Sequence, residues 1–313
     1  GPWMVSIDED PLSVLDGMSQ TATLTTGFAP DAVVAAYLDG AFGDTLRVSR
    51  DTAIVDPPEA EAYREVLSER IGDGLAHITF TNSGTESVEK ALALCRLNAS
   101  NPEARRVLAF EGSFHGRSLL SLHTTWNPAK RGPFEFSGYE ACFAPFPTRT
   151  SEQLDDEPPD PPGFRALMVS RQIESLIGIY SERGDTLLLE ELACLRAVDE
   201  ALDAGDIFAV IVEPMQSEGG DRYATSRFFR GLRLLTRAHN TALIFDEVQT
   251  GFGLGGDFLW HQRFGLIDAE GNPDYPEAVT VAKRAQVGVC ASRFEDPEPT
   301  SVHPASLVRG RLH

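Results

Sequence analysis

The sequence predicts an α/β fold, a doubly wound, mainly parallel sheet flanked by helices. Short apolar segments rich in β-branched residues recur along the chain, as expected for strands that are buried on both faces. The longer segments between them repeat apolar residues at helical spacing, and alternating strands and helices are typical of this fold class. With 313 residues, 42% of them hydrophobic, the chain can bury a large core.

Five segments are predicted to be buried parallel strands because each is short and apolar. They are His77 to Thr81, Arg106 to Phe110, Ile207 to Glu213, Ala242 to Asp246 and Ala278 to Ala282.

Two intervening segments predict amphipathic helices, one containing Val88 to Cys95 and the other spanning Ser226 to His239. The acidic, proline-rich stretch 148–163 cannot pack a core and is expected to form an exposed loop.

The chain divides into an N-terminal segment at 1–60 and a large domain at 61–313. Residues 307–313 look like the start of an amphipathic helix that stops with the last residue, so we expect the chain to be truncated there. The N-terminus lacks the basic and apolar regions of a signal peptide, and no apolar run reaches about 18 residues. These features predict a cytoplasmic protein without a membrane span.

The formal charge of −20 and the pI of about 4.7 argue against nucleic acid and anionic membranes as partners. Both need clustered lysine and arginine. The four cysteines, at 95, 142, 194 and 290, are far apart and lack the spacing of a zinc site. The sequence therefore predicts neither a disulfide nor a bound metal.

The first segment with chemical potential is the small-residue turn Ser83, Gly84 and Thr85, which lies between a predicted strand and a predicted helix. The free backbone N–H groups at such a helix start can bind a phosphate. The alternative is that Ser83 or Thr85 is an ordinary N-cap.

The second segment follows the next strand and places Phe114 and His115 between two glycines, just before Arg117. An aromatic ring there can stack on a flat heteroaromatic group, and an arginine can bind a carboxylate through two parallel hydrogen bonds. The simpler alternatives are a core phenylalanine and a surface ion pair.

Two further strands end in carboxylates. Glu213 and Glu218 follow one of them, where open α/β sheets place their sites, although a solvated loop also explains Glu218. Asp246 closes another apolar strand, and a carboxylate there is costly unless a cation meets it. A protonated pyridine nitrogen meets that need. A metal ion is the rival, but Asp246 and Glu247 point to opposite faces of a strand and no histidine lies nearby.

Lys283 ends the last predicted strand. Only three of the 27 basic residues are lysines, at 90, 130 and 283, so a lysine in an apolar strand stands out. Burial disfavours the charged form of such an amine, which can then form a Schiff base. The alternative is a strand-end lysine whose ammonium reaches solvent.

Taken in order, SGTESVE, FEGSFHGR, VEPMQSEGG, DEVQTGFG and the Ala-Lys pair strongly resemble the class III (fold type I) aminotransferases, which use pyridoxal 5'-phosphate (PLP). The resemblance covers about residues 60 to 310. The sequences of these motifs are most similar to those of the branch that contains 4-aminobutyrate aminotransferase and L-lysine 6-aminotransferase. The resemblance implies a fold type I large domain that binds PLP, with the family's C-terminal small domain missing.

The resemblance also implies residue roles around the cofactor ring. Lys283 would hold the cofactor as a Schiff base and shuttle a proton, and Asp246 would pair with the pyridine nitrogen. Gln249 would bond the phenolic oxygen, while Phe114 would stack on one ring face and Val248 would cover the other.

The cofactor phosphate would lie at Ser83, Gly84 and Thr85, and His115 belongs to the same cofactor-binding set. Thr300 and Ser301 occupy the place where the family has a Ser-Thr pair that reaches the partner subunit's phosphate. The surrounding Pro299 to Pro304 departs from the family pattern, and the segment before residue 60 lacks the usual Gly-His-x-His-Pro signature.

On the substrate side, Arg117 would bind a carboxylate, with Glu213 and Glu218 beside it. Glu218 resembles the glutamate that masks a second arginine, which lies in the family's C-terminal domain.

The implied function is PLP-dependent transfer of an amino group from an ω-amino or diamino acid to 2-oxoglutarate by a homodimer with interface active sites. The alternatives are another fold type I reaction, such as an aminomutase or a decarboxylase, and a truncated non-catalytic homologue that acts as a scaffold or partner subunit.

Overall fold

A computed structural model describes residues 3–43, 58–134, 140–151, 159–268 and 270–297. Its strands are β1 (Trp3–Val5), β2 (Ser13–Leu15), β3 (His77–Thr81), β4 (Arg106–Phe110), β5 (Glu140–Ala144), β6 (Ile207–Val212), β7 (Met215–Gln216), β8 (Arg222–Tyr223), β9 (Ala242–Asp246), β10 (Ala278–Val281) and β11 (Gly288–Ser292).

Helices lie on both faces of the central sheet, and two more belong to the N-terminal region. They are α1 (Ser19–Ala22), α2 (Asp31–Leu38), α3 (Pro58–Ile71), α4 (Gly84–Leu97), α5 (Leu119–His123), α6 (Pro128–Arg131), α7 (Phe164–Val169), α8 (Ile173–Ser181), α9 (Thr186–Leu202) and α10 (Ser226–Ala238). Short 3₁₀ turns lie at Asp73–Leu75, Gly132–Phe134, Trp260–Phe264 and Lys283–Ala285.

Seven strands form the central sheet in the order β3-β11-β10-β9-β6-β4-β5. β11 is antiparallel to both of its neighbours, and the other pairs are parallel. The carboxyl ends of β4, β6, β9 and β10 therefore meet at one edge of the sheet, the edge where open α/β sheets bind ligands.

The core has two layers because alternate residues of the central strands face opposite sides. In β6, Val210 and Val212 pack into the layer beneath α7 to α10, whereas Ala209 and Ile211 pack into the layer beneath α4. Every residue of β6 is buried. Burial on both faces explains why this strand is an unbroken apolar run.

The predicted fold class is confirmed, and β3, β4 and β9 have the predicted bounds. β6 ends at Val212 and β10 at Val281, so Glu213, Ala282 and Lys283 follow their strands directly. The helices predicted around 88–95 and at 226–239 are α4 and α10. Within the central sheet, the sequence prediction missed β5 and β11, and β3, predicted to be a parallel strand, pairs antiparallel with β11. The division at residue 60 falls in α3 and stays a prediction.

Seven of the nine described residues of the predicted exposed loop at 148–163 are exposed, and the two exceptions are Arg149 and Pro161. Arg149 is buried against Glu191, with 3.0 Å between Nη2 and Oε1, and it bridges to Tyr223. Pro161 is also buried. The ion pair with Glu191, a buried residue of α9, therefore holds Arg149 in the core. Residues 152–158 lie outside the described residues, as do residues 307–313.

Among the described helices, none combines the length and the apolar composition that a bilayer crossing requires.

A buried ion cluster fastens α10 to the start of β10. Arg233 is 2% exposed and donates to Glu277 at 2.7 Å and to Asp274 at 2.8 Å. The Glu277 carboxylate also accepts from the backbone N–H of Leu243 in β9 at 2.8 Å. Arg237 contacts the same two carboxylates, but its side chain is 44% exposed.

Arg233→Met should lower the free energy of unfolding by about 3–5 kcal/mol, because it leaves buried carboxylates without their main cation. Arg237→Met is the matched control and should cost about 1 kcal/mol or less, since water screens its ion pairs. Denaturant unfolding of both variants tests the difference. Equal losses would show that burial does not set the strength of this cluster.

Candidate active site

A cleft with an empty volume of about 420 Å³ lies at the carboxyl edge of the sheet, beside the start of α4. It brings together ten of the residues predicted for the site, drawn from segments far apart in the chain. They are Gly84, Thr85, Phe114, His115, Glu213, Glu218, Asp246, Val248, Gln249 and Lys283. Of the rest, Ser83 adjoins the cleft as the N-cap of α4, and Arg117 is exposed beside Phe114. Thr300 and Ser301 lie outside the described residues.

The start of α4 forms one wall of the cleft. Ser83 is the N-cap, and its hydroxyl oxygen accepts from the backbone N–H of Glu86 at 3.2 Å. Ser83 is therefore an N-cap, which was the alternative interpretation of this turn. The Ser83 hydroxyl can still donate its proton, and the first backbone N–H groups of α4 can bind an anion.

Close packing fixes where that helix start lies. A Cβ added to Gly84 would lie 2.6 Å from Val248 Cγ1 and 3.1 Å from Ala282 Cβ. Only glycine lets the first turn of α4 approach the segments after β9 and β10 so closely. The turn that begins α4 and the residues around Lys283 are thus held in contact.

Asp246 is buried at the end of β9, and three donors surround it. His115 Nδ1 lies 2.7 Å from Oδ2, while Thr280 Oγ1 and the Val248 N–H each lie 3.1 Å from Oδ1. These bonds offset the cost of burying the carboxylate. The other imidazole nitrogen of His115, Nε2, is buried and has no hydrogen-bond partner among the described residues.

Asp246 and Glu247 have different hydrogen-bond partners among the described residues. Glu247 is fully buried and accepts from the backbone N–H groups of Trp260 and His261, from Thr250 Oγ1 and from His261 Nδ1 at 2.7 to 3.1 Å. The expectation that no histidine lies near either carboxylate is wrong, because His115 and His261 reach them from distant segments. Within the described part of the chain, no group of three or more His, Cys, Asp or Glu side chains is arranged to hold a metal ion.

Lys283 follows β10 with a left-handed backbone conformation, φ +51°, which is uncommon for a residue other than glycine. Its ammonium donates to the side-chain oxygen Oε1 of Gln249. Arg284 Nη1 donates to the backbone carbonyl oxygen of Gln249 at 2.9 Å. Burial lowers the pKa of Lys283, although the charges of Asp246, Glu218 and Glu213 act in the opposite direction. The amine therefore loses its proton more readily than an exposed lysine does.

Phe114 forms the opposite wall. Its backbone N–H donates to Glu213 Oε1 at 2.9 Å. Two cations lie by its ring, with Lys130 Nζ 4.7 Å and Arg117 Cζ 5.9 Å from the ring centroid.

Lys130 is the residue that the sequence interpretation missed. Its ammonium lies 3.5 Å from Glu218 Oε2, so Glu218 has a cationic partner within this chain. The scarcity of lysine was the signal that could have drawn attention to it.

The residues present fit PLP in kind. Asp246 offers a carboxylate to a pyridinium, the α4 start offers amides to a phosphate, and Lys283 offers an amine of lowered pKa to an aldehyde. The unpartnered His115 Nε2 adds a buried polar atom beside that carboxylate.

Comparison with known proteins assigns the chain to a family. Residues 2–294 match the model of the aminotransferase class-III family, and the chain belongs to that family. The resemblance inferred from the ordered motifs is confirmed.

Named relatives of this chain differ in their substrates. It is 34% identical to an acetylornithine aminotransferase of Methanopyrus kandleri over 74% of this chain and 44% of the relative. It is 28% identical to the mitochondrial 4-aminobutyrate aminotransferase of Sus scrofa over 90% of this chain and 55% of the relative. The chain thus spans about half the length of these curated relatives.

Among solved structures, the fold is similar to that of the lysine aminotransferase from M. tuberculosis in its internal aldimine form. The TM-score is 0.71 at 25% sequence identity, over 98% of this chain and 65% of that one.

Burial raises the pKa of Glu213 well above its ordinary value, and the neighbouring charge of Asp246 adds to the effect. The folded protein therefore keeps this proton at pH values where the unfolded chain has lost it. The contribution of Glu213 to the free energy of unfolding is complete below the ordinary carboxyl pKa. It should be lost as the pH rises from that value through the raised pKa of the folded protein.

Glu213→Gln should match the native protein in unfolding free energy below the ordinary carboxyl pKa and exceed it increasingly as the pH rises above that value, with a slope of at most about 1.4 kcal/mol per pH unit. The amide oxygen can still accept from the Phe114 N–H. Unfolding curves across this pH range test the effect, with the 85% exposed Glu103 replaced by Gln as the control. A pH-independent difference would show that Glu213 is ionised in the folded protein.

Proposed function

We propose that this chain is the PLP-binding part of an aminotransferase that moves the amino group of an ω-amino or diamino acid to 2-oxoglutarate. The observation that carries the proposal is the meeting of Lys283, Asp246 and the start of α4 at one cleft. The family match and the named relatives support it.

Each wall of the cleft suits one part of the cofactor. Asp246 would hold the pyridine nitrogen, and Ser83, Gly84 and Thr85 would hold the phosphate. Gln249 would bond the phenolic oxygen. When bound, PLP supplies an electron sink for charge that develops on the substrate carbon.

The chain's own residues would bind and orient that group and move the proton. Phe114 and Val248 would cover the two ring faces and exclude water. His115 orients the Asp246 carboxylate through the 2.7 Å contact at Nδ1. Lys283 would act as nucleophile and then as acid and base, roles that suit a lysine whose pKa is lowered by burial.

Substrate recognition is proposed to rest on charge. Arg117 is exposed beside the Phe114 ring, where a planar guanidinium can bind a carboxylate. Glu213 and Glu218 line the cleft that Phe114 borders. A donor with a carboxylate away from its reacting amine would therefore be favoured, and the acetylornithine, 4-aminobutyrate and lysine aminotransferases among the similar proteins carry names that agree.

The homodimer, the phosphate contact of Thr300 and Ser301 and the cytoplasmic location stay predictions.

Incubating the purified protein with PLP and reducing it with borohydride should leave one pyridoxyl label on Lys283, because only its amine faces the proposed ring site. Peptide mass spectrometry locates the label, and Lys90 and Lys130 serve as internal controls. Labelling of either in place of Lys283 would contradict the cofactor assignment. Lys283→Ala should abolish the label while leaving the circular dichroism spectrum unchanged.

Arg117→Ala should weaken use of ω-amino acids by about 2 kcal/mol, roughly 30-fold in kcat/KM, through loss of a charge-assisted hydrogen bond. A monoamine without a carboxylate should change little, and it is the control substrate. Arg117→Lys should restore only part of the loss because it lacks the planar fork. An unchanged ratio between the two substrate types would move carboxylate recognition elsewhere.

A further inference from the structure

A second pair of a carboxylate and an imidazole begins one residue after Asp246. Each of the two consecutive carboxylates lies 2.7 Å from a histidine Nδ1, that of His115 for Asp246 and that of His261 for Glu247. Neither Glu247 nor His261 is among the described residues that line the candidate active-site cleft. His261 lines a separate cleft at the end of α3. The second pair can therefore act on the site only through other residues.

The Glu247 residue closes the turn that follows β9. Its Oε2 accepts from Thr250 Oγ1 at 3.1 Å, and its carbonyl oxygen accepts from the Gly251 N–H at 2.9 Å. The two bonds enclose Val248 and Gln249, which both line the cleft. The conformation of this turn thus sets where these two side chains lie.

His261 fixes the same turn from outside the cleft. Glu247 also accepts from the Trp260 N–H at 2.7 Å and from the His261 N–H at 2.9 Å, so its carboxylate joins the turn to the 3₁₀ segment that begins at Trp260. The imidazole of His261 stacks on Phe245, with 5.2 Å between the ring centroids and 11° between the ring planes. His261 therefore contacts the residue before Asp246 and the residue after it.

Burial makes this arrangement sensitive to the loss of a single donor. The Glu247 carboxylate is fully buried and accepts from four groups of the two joined segments. A buried carboxylate that is left short of a donor is costly, because water cannot take the place of the lost partner. Removal of the His261 imidazole should therefore shift the Glu247 carboxylate and the turn that it closes.

We propose that His261 and Glu247 are positioning residues for the cofactor ring, which hold Gln249 in place for the phenolic oxygen while lying outside the cleft themselves. The inference rests on the proposed function, because it takes Gln249 as the partner of that oxygen. It goes beyond that function by assigning a role in cofactor binding to two residues that do not line the cleft.

The test is a titration of the protein with PLP that records both affinity and the absorbance of the bound cofactor. His261→Leu removes a donor to Glu247 and should weaken PLP binding by about tenfold, as is common for residues that orient a binding group. His261→Asn should recover most of the affinity, because its amide nitrogen can donate from near the place of Nδ1.

His239→Leu is the matched control. His239 Nε2 lies 2.6 Å from Asp199 Oδ1, and this histidine is absent from the described lining of both clefts. Its replacement removes an imidazole from a carboxylate in the same way, yet it should change PLP affinity less than about twofold.

The route through Gln249 is tested by a double-mutant cycle. Gln249→Ala should weaken PLP binding and shift the absorbance maximum of the bound cofactor, and His261→Leu should shift that maximum in the same direction. Added to Gln249→Ala, His261→Leu should have no further effect on PLP affinity. Additive losses of affinity, or an unshifted maximum in His261→Leu, would overturn the proposal, since a purely structural role gives those results.

Thr250→Val is the second variant, for use if His261→Leu does not fold. It removes only the hydroxyl that donates to Glu247 and keeps a side chain of similar shape. It should weaken PLP binding severalfold, and native affinity in this variant or in His261→Leu would contradict the positioning role. Failure of the proposed function gives a different result, because the native protein would then neither bind PLP nor carry the label on Lys283.

Discussion

The buried carboxylate of Asp246 is the constraint on which the rest of the site depends. Its donors come from three places: His115 after β4, Thr280 within β10 and the Val248 N–H in the turn after β9. Because a buried carboxylate without partners is costly, these segments must close around it. Their closure brings Phe114, Gln249 and Lys283 to the same cleft.

Tight packing at Gly288 fixes where the antiparallel strand β11 meets the turn that begins α4. A Cβ on Gly288 would lie 2.1 Å from Thr81 Oγ1 and 2.3 Å from the Ser83 carbonyl oxygen. Gly288 pairs with Thr81 at the start of β11, directly below the turn that begins α4. The sheet register therefore sets the height of the proposed phosphate site.

The strands that the sequence predicted are those with an unambiguous apolar pattern, such as β4 and β9. β11 was missed because GVCAS consists of small residues with little β-propensity pattern, and β5 because it is an edge strand that begins with an exposed glutamate. Local pattern does not report pairing with a distant segment. The same reason hid the contact between His115 and Asp246, which are 131 residues apart.

The site residues were accessible from sequence only as ordered motifs, and their partners were not. Glu218 was identified with a partner outside the chain, whereas the structure pairs it with Lys130, 88 positions earlier by residue number. Arg149 was placed in an exposed loop, yet Glu191 holds it in the core. In each case the sequence did not reveal a long-range ion pair, because such a contact depends on the finished fold.

Burial is the main cause of the pKa shifts of two side chains in the cleft. Burial raises the pKa of Glu213 and lowers that of Lys283, so the cleft favours the neutral form of both side chains. In this cleft the side chains of Glu213 and Lys283 are less readily charged than in water, while hydrogen-bond donors and acceptors stay oriented. Such a cleft is suited to a ligand that carries charges at fixed positions. A phosphate at the start of α4, a ring cation at Asp246 and a carboxylate at Arg117 would each meet a group of opposite sign. Charge matching at three separate points can therefore orient one ligand in one way, and for this reason the candidate site is more specific than any of its motifs taken alone.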